Sequence, residues 1–323
     1  MAVSPVIEVD QLTRVYPGRV AVDRLTFSVG RGEIVGFLGP NGAGKSTTMR
    51  MLAGYLPPTS GAVRIAGLDP DRQPDQVRRK VGYMPENNPL HLDMRVVDYL
   101  CFRGRIKGLG WRASPAQAEA VIRRCGLGEV RTRIIGHLSK GYRQRVGIAD
   151  AILHDPELIL LDEPTIGLDP HQIRAVRDLI RQLGQQHTVL ISTHILSEVE
   201  MMCSRVLILQ QGRLIASDTP AALERTLGWS GTVTAEIAAT PEAIAARFDG
   251  SPGVKSVRVE PLGGGYCQVT LVPEAEEDLR PAVYEAAREM NWPLRELTRQ
   301  RQSLEEMFVR LTQAPHLPNP IAK

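Results

Sequence analysis

Residues Gly39 to Ser46 read G-P-N-G-A-G-K-S and follow directly on the apolar run Ile34-Val35-Gly36-Phe37-Leu38. Glycine at both ends lets consecutive backbone N–H groups wrap a polyphosphate with no Cβ in the way. Lys45 can then reach the outer phosphates as a point charge, and the Ser46 hydroxyl is placed for Mg²⁺. A helix opening at Lys45 turns the positive end of its dipole toward the same anion. Gly39, Asn41, Gly42, Gly44, Lys45, Ser46 and Thr47 are thus the candidate nucleotide-binding loop.

Three further groups could act on a bound triphosphate. Leu158 to Glu163 is an apolar strand ending in Asp162-Glu163, followed by Pro164-Thr165-Ile166-Gly167-Leu168-Asp169. A carboxylate at a strand end beside a phosphate loop can hold Mg²⁺ directly or through water, which suits Asp162. Glu163, one residue on, points elsewhere and could polarise the attacking water. Adjacent acids after a strand are also commonplace surface turns. Ser139-Lys140-Gly141 at a helix start is a second anion-binding device, although a serine there is equally a plain N-cap. His194 follows the strand Thr188 to Ile191; it can bond a terminal phosphate from that position, or be structural.

The elements that must position these residues read as an open α/β sheet. Val6 to Val9 and Leu25 to Val29 are expected strands around a turn at Pro17-Gly18, and Lys45 to Leu56 is a helix stopped by Pro57-Pro58. Ala62 to Ile65 and Val81 to Met84 read as a short strand pair, and Pro89 to Leu153 is helical. Leu158 to Leu161 and Thr188 to Ile191 are continuous apolar runs, the mark of a buried parallel sheet. Val206 to Leu209 and Arg213 to Ile215 flank Gln210-Gln211-Gly212 as a closing hairpin.

Near Gly228-Trp229-Ser230-Gly231 the pattern changes to strand-helix-strand-strand-helix-strand, which predicts a small α+β ferredoxin-like domain over residues 229–313. A last helix is expected from Ser303. There Ser303 and Glu306 have capping-box spacing, and Leu304, Met307, Phe308 and Leu311 make one apolar stripe. Residues 314–323 are expected to be a disordered tail.

Composition narrows the class. The 323 residues include 43% hydrophobic ones, yet no apolar stretch approaches the roughly 20 residues of a membrane-spanning helix. The N-terminus has no signal-peptide pattern, and the four cysteines (Cys101, Cys125, Cys203, Cys267) form no C-x-x-C pair. A cytoplasmic chain with reduced thiols is expected. Net charge is +3, but residues 72–145 carry sixteen Lys/Arg against six Asp/Glu, a local net of +10. Such an excess is either a solvated face or one turned to an anionic surface.

With these motifs in this order, residues 6–223 resemble the nucleotide-binding domain of ATP-binding cassette (ABC) transporters. The resemblance implies a P-loop NTPase domain of the ABC type over residues 1–228, with an inserted helical subdomain at about 87–155. It implies ATP and Mg²⁺ as cofactors, Tyr16 stacking on adenine, and Lys45 and Ser46 serving the phosphates and metal. Asp162 would assist the metal, Glu163 would be the general base and His194 the phosphate sensor, with Asp169 an interface residue beside it. Ser139 and Gly141 would bind the γ-phosphate of ATP held by a partner subunit, so two ATP molecules would sit between two such domains, in a homodimer or a pair with a similar subunit.

Two residues depart from the family pattern L-S-G-G-Q: Lys140 and Tyr142 replace the residue before the second glycine and the glutamine. The loop that usually supplies a glutamine reads Tyr83-Met84-Pro85-Glu86-Asn87, so Glu86 offers the metal an oxygen but no N–H; a solvated loop acid is the other reading. These departures, with the C-terminal domain, resemble the branch of ATPases encoded apart from an export-type permease. A chain of that branch would attach to the inner membrane face through its permease, with no nucleic acid involved. The competing expectation is a soluble cassette ATPase acting on nucleic acid or ribosomes. Against it stand the single set of motifs, the absence of a heptad stretch and an aromatic share of only 5%.

Overall fold

Strand runs that are apolar along their whole length can only be satisfied by burial on both faces, and they assemble here into a parallel sheet. The computed structural model describes residues 4–226, 232–274 and 277–300. The chain falls into two compact units, one ending at Pro220 and the other starting at Ala221.

The first unit opens with a hairpin, β1 (Ile7–Tyr16) and β2 (Arg19–Val29), turning at Pro17-Gly18. β3 (Ile34–Leu38) leads through the phosphate loop into α1 (Lys45–Leu52), and β4 (Ser60–Ile65), α2 (Pro74–Lys80) and β5 (Val81–Met84) follow. The helical segment holds α3 (Val96–Ile106), α4 (Ala113–Arg124) and α5 (Lys140–Ile152). β6 (Leu158–Asp162), α6 (Pro170–Gly184), β7 (Thr188–Thr193), α7 (Leu196–Met202) and the hairpin β8 (Arg205–Gln210) and β9 (Arg213–Asp218) complete it. β5, β6, β7, β3 and β8 are parallel neighbours in that order, with β9 antiparallel on the edge.

The expected pairing of Ala62–Ile65 with Val81–Met84 is wrong. β4 alternates exposed and buried residues and joins β1 in a separate antiparallel sheet of order β2-β1-β4, whereas β5 is buried almost throughout and joins β6 in the parallel sheet. The alternation of one strand and the uniform burial of the other assign them to different sheets. The two sheets share one core in which Leu12, Leu25 and Val29 meet Phe37, Leu160, Leu190 and Met49.

Helix ends follow their local chemistry. Ser139 caps α5, accepting from Tyr142 N at 3.4 Å, and Asp169 caps α6, accepting from Gln172 N at 2.9 Å, with Pro170 in the first turn. α6 buries Val176, Leu179, Ile180 and Leu183 at three- and four-residue spacing. α5 is tied to α3 by Asp150, which receives a two-pronged bond from Arg103 (3.0 Å each) and lies 3.5 Å from Lys107 Nζ.

Just past α5, His154 Nε2 lies 3.1 Å from Val81 O. Burial, then the Lys107 charge, push its pKa from 6.5 down to about 4. Because the folded value is the lower one, the unfolded chain takes up the proton first. The stability contributed by neutral His154 is whole above pH 6.5 and is lost as pH falls from there through about 4. His154→Leu should therefore give a shallower fall of melting temperature across that window than the parent; an equal slope would contradict this.

The second unit contains α8 (Pro220–Thr226, beginning one residue before the division), β10 (Thr232–Ile237), α9 (Pro241–Phe248), β11 (Val254–Gly263), β12 (Tyr266–Pro273), α10 (Arg280–Glu289) and β13 (Leu294–Gln300). Its antiparallel sheet has the order β11-β12-β10-β13, which is the ferredoxin-like arrangement with α9 and α10 as crossovers. Val233, Ala235 and Ile237 of β10 pack with Val269 and Leu271 of β12 and with Ile244, Phe248 and Val283 of the helices. The expected helix from Ser303, the tail from 314 and the boundary segment around Gly228-Trp229 lie outside the described residues.

All four cysteines are free; burial pushes the Cys125 and Cys203 thiols up to about 12. Among the described residues no helix is long and apolar enough to cross a membrane.

Candidate active site

Three strand ends build the site. β6, β7 and β3 are consecutive neighbours, with Asp162 level with Ser192 and Leu38 level with Thr193. Their carboxyl ends bring the phosphate loop, Asp162-Glu163 and His194 to one edge of the sheet, where open α/β sheets place their ligands.

The loop's shape demands glycine at two points. Gly44 has φ +101°, and a Cβ there would stand 2.5 Å from Ala21 O; a Cβ at Gly39 would stand 2.7 Å from Leu209 O. From Gly44 the chain enters α1, whose first residues are Lys45 and Ser46. The Lys45 ammonium, only 6% exposed, donates to Gly39 O at 2.7 Å and Pro40 O at 3.3 Å. It also lies 3.4 Å from Glu163 Oε1.

Ser46 Oγ donates to Asp162 Oδ1 at 3.1 Å, and Ser192 Oγ donates to the same oxygen. Glu163 sits at φ +49°, a left-handed conformation uncommon outside glycine, with its N–H bonded to Ser192 O at 3.1 Å and to Ser192 Oγ at 3.2 Å. The backbone thereby leaves the strand direction where the second carboxylate turns inward. His194 Nδ1 lies 2.9 Å from Glu163 Oε2. A carboxylate can only accept, so Nδ1 carries the proton of that bond. His194 is thus hydrogen-bonded to Glu163, which in turn is ion-paired with Lys45, and a hydrogen-bonded set joins Ser192 and Ser46 through Asp162.

A cavity of about 370 Å³ opens over Lys45, Ser46 and Glu163, while Gly39, Asp162 and His194 do not line it. Of the expected residues it is lined by Tyr16, Asn41, Gly42, Gly44, Lys45, Ser46, Thr47, Glu86 and Glu163. Tyr16 is half-buried, with the Arg14 guanidinium 4.9 Å from its ring centre. Ser139, Gly141 and Asp169 do not line it. They form a separate cluster in which a Cβ at Gly141 would strike the Gln172 side chain and the Lys140 ammonium fills the space beside Gly167. Tyr142 packs under Arg145, whose guanidinium carbon is 4.3 Å from the ring centre.

Sequence reading missed Arg19, Ser192 and Glu198. Arg19 lines the cavity and donates to Gly42 O at 2.7 Å; its only signal was a cation in the turn after Tyr16. Ser192 was visible as the residue two before His194, but its bonds to Asp162 and Glu163 depend on the β6–β7 register.

Fold and site together define a P-loop nucleotide-binding α/β protein. Residues 22–166 match the family described as ABC transporter. The chain is 40% identical over 223 residues to the daunorubicin/doxorubicin resistance ATP-binding protein DrrA of Streptomyces peucetius, a match over 69% of this chain and 68% of that protein. It is 29% identical to the linearmycin resistance ATP-binding protein LnrL of Bacillus subtilis over 95% of this chain and 98% of that one. Against the retinal-specific phospholipid-transporting ATPase ABCA4 of Mus musculus it is 37% identical over 69% of this chain, but spans only 10% of that much longer protein.

Among solved structures, an ATP-binding subunit of an ABC transporter superposes with a TM-score of 0.62 at 33% identity, over 69% of this chain and 93% of that one. A dimeric bacterial ABC transporter cassette superposes with a TM-score of 0.60 at 25% identity, over 66% and 98%. The chain belongs to the ABC transporter ATP-binding proteins.

Proposed function

We propose that this chain hydrolyses ATP as one of two paired cassettes and drives a separate membrane permease, with export as the direction. The observation that carries the proposal is the contact network joining Lys45, Glu163 and His194, and Ser46, Asp162 and Ser192, of which Lys45, Ser46 and Glu163 line one cavity. Hydrolysis needs a bound triphosphate, a metal site and a base within reach of water, and these residues supply each.

In this reading Tyr16 stacks on the adenine, and the loop N–H groups with Lys45 hold the β- and γ-phosphates. Glu163 accepts the proton of a water whose oxygen attacks the γ-phosphorus; the bond to the bridging oxygen breaks, leaving ADP and phosphate. His194 holds Glu163 through Nδ1–H and turns its other ring nitrogen to the γ-phosphate. The hydroxyl of Ser46 and the carboxylates of Asp162 and Glu86 suit Mg²⁺, a hard ion that takes a few protein oxygens and completes its shell with phosphate and water. Bound Mg²⁺ would neutralise charge on the β- and γ-phosphates.

Ser139 and Gly141 lie apart from the cavity holding Lys45, and in this reading the N-terminus of α5 completes the site of a partner cassette. The dimeric cassette among the structural neighbours supports that pairing, and the drug-resistance relative supports export. The nucleic-acid alternative has no comparable support. The basic stretch at 72–145 is partly neutralised by ion pairs (Lys80 with Glu157, Arg131 with Glu119, Arg103 and Lys107 with Asp150), and it presents exposed Ile106 and Trp111. The unpaired remainder would face the permease and the anionic headgroups around it.

Two measurements test the whole. ATP hydrolysis by the purified chain should require Mg²⁺ and rise more steeply than linearly with protein concentration when dilute; a strictly linear rate would refute the paired site. On liposomes, flotation should be stronger with anionic than with neutral lipid, and equal flotation would remove the headgroup contact.

A further inference from the structure

Glu198, on α7, is 4% exposed and lines no part of the cavity, yet its carboxylate bridges the loop after Glu163 and the end of β7 just before His194. Its Oε2 accepts from Thr165 Oγ1 at 2.7 Å and from Thr193 Oγ1 at 3.1 Å. Thr165 stands two residues beyond Glu163, and Thr193 immediately precedes His194. Both threonines are buried, and the Thr193 hydroxyl in turn accepts from Ile195 N at 3.1 Å, so its own proton is directed to Glu198. Among the described residues Glu198 Oε1 has no hydrogen-bond partner.

A carboxylate held out of water by two hydroxyls, with one oxygen unpartnered, costs stability. What it supplies is a fixed separation between two loops. The ladder between β6 and β7 ends at Asp162 and Ser192, and the Glu163 N–H reaches back to Ser192 as its last link. Beyond that point β6 and β7 no longer pair with each other, although Thr193 still pairs with Leu38 of β3, and the 2.9 Å contact between Glu163 Oε2 and His194 Nδ1 depends on how the segment after Glu163 is held against the end of β7. Both threonines converge on one oxygen of Glu198, so a shift of either loop relative to the other must lengthen a bond.

We propose that Glu198 is a positioning residue for ATP hydrolysis: it clamps Thr165 to Thr193 and thereby keeps Glu163 and His194 in register. The proposal rests on the reading of Glu163 as the base. It concerns geometry and not nucleotide binding, since the clamp touches neither the phosphate loop nor Tyr16.

The test is steady-state ATP hydrolysis by full-chain Glu198→Ala, Glu198→Gln and Thr165→Val, with Glu163→Gln alongside. Glu198→Ala should lower kcat roughly 10- to 100-fold, as a small misplacement of reacting groups does, with KM for ATP unchanged. Its kcat–pH profile should shift as the Glu163–His194 contact loosens. Glu198→Gln should keep more activity than Ala, because its amide oxygen can still accept from both hydroxyls. Equal kcat in parent and Ala variants, or a fall in melting temperature with an unchanged kcat and pH profile, would overturn the clamp. If Glu198→Ala does not fold, Thr165→Val carries the test, since it removes one donor at nearly constant shape; unchanged kcat there also overturns it. If Glu163→Gln itself retains turnover, the reading of the base fails first. If that variant is inactive while Glu198→Ala is fully active, only the clamp fails.

Discussion

Glu163→Gln should lower kcat on the order of 10³-fold while leaving ATP bound, with the variant accumulating as an ATP-stabilised dimer. The substitution keeps the size of the side chain and an oxygen for Lys45 Nζ, now 3.4 Å from Glu163 Oε1, but removes the ability to accept a proton. The backbone that turns the side chain inward does not depend on the carboxylate charge, because the φ +49° conformation is held by the N–H bonds to Ser192. The phosphate-loop groups are therefore retained, while the proton acceptor and one of the two carboxylate contacts are lost. An effect on kcat with little change in nucleotide affinity is the signature of an interaction made in the transition state. Phosphate release under saturating ATP gives the first number, and sedimentation with and without ATP gives the second. Turnover within tenfold of the parent would require another base.

His194 sharpens this expectation. As a sensor of the γ-phosphate alone, its removal would weaken nucleotide contact; bonded at 2.9 Å to Glu163, it also orients the base. In the parent each partner has its own carboxylate oxygen, Oε1 for Lys45 and Oε2 for His194; the amide of Glu163→Gln has one oxygen, which can serve either partner but not both. The variant thus removes the proton acceptor at constant side-chain size and costs at most one of these two contacts, whereas a change at His194 would leave the acceptor in place.

Much of this was legible in the chain. The phosphate loop, the apolar strand ending at Asp162-Glu163 and the strand before His194 are local patterns, and a parallel sheet with β3, β7 and β6 side by side brings them together without further instruction. The C-terminal order of strands and helices likewise follows from alternation and glycine-rich turns, as at Gly264-Gly265 between β11 and β12. What could not be read is what depends on register and on which sheet a strand joins. Ala62–Ile65 and Val81–Met84 are both short and apolar, and nothing local says that one pairs with β1 and the other with β6. Ser192 and Glu198 were silent for the same reason: a serine and a glutamate acquire meaning only when a strand offset or a helix packing sets them against Asp162, Thr165 and Thr193.

Lys45→Ala should weaken ATP binding on the order of 10²-fold and also lower the melting temperature of the nucleotide-free protein. The first effect follows from removing the compact cation that we propose meets the outer phosphates. The second is specific to this arrangement: Lys45 and Glu163 are each about 6% exposed in their side chains, so deleting the ammonium leaves a buried carboxylate with only His194 against it. Arginine is no substitute, because a planar fork cannot occupy the pocket between Gly39 O and Pro40 O that a tapering ammonium fills at 2.7 and 3.3 Å. The coupling can be isolated. If the loss of stability comes from the stranded carboxylate, Glu163→Gln added to Lys45→Ala should restore melting temperature toward the parent while ATP affinity stays low. Titration of a fluorescent ATP analogue and thermal melts of the two single variants and the double variant give the cycle. Parent-like affinity in Lys45→Ala would remove the lysine from the phosphate site, and a double variant no more stable than Lys45→Ala would show that the two charges do not hold each other.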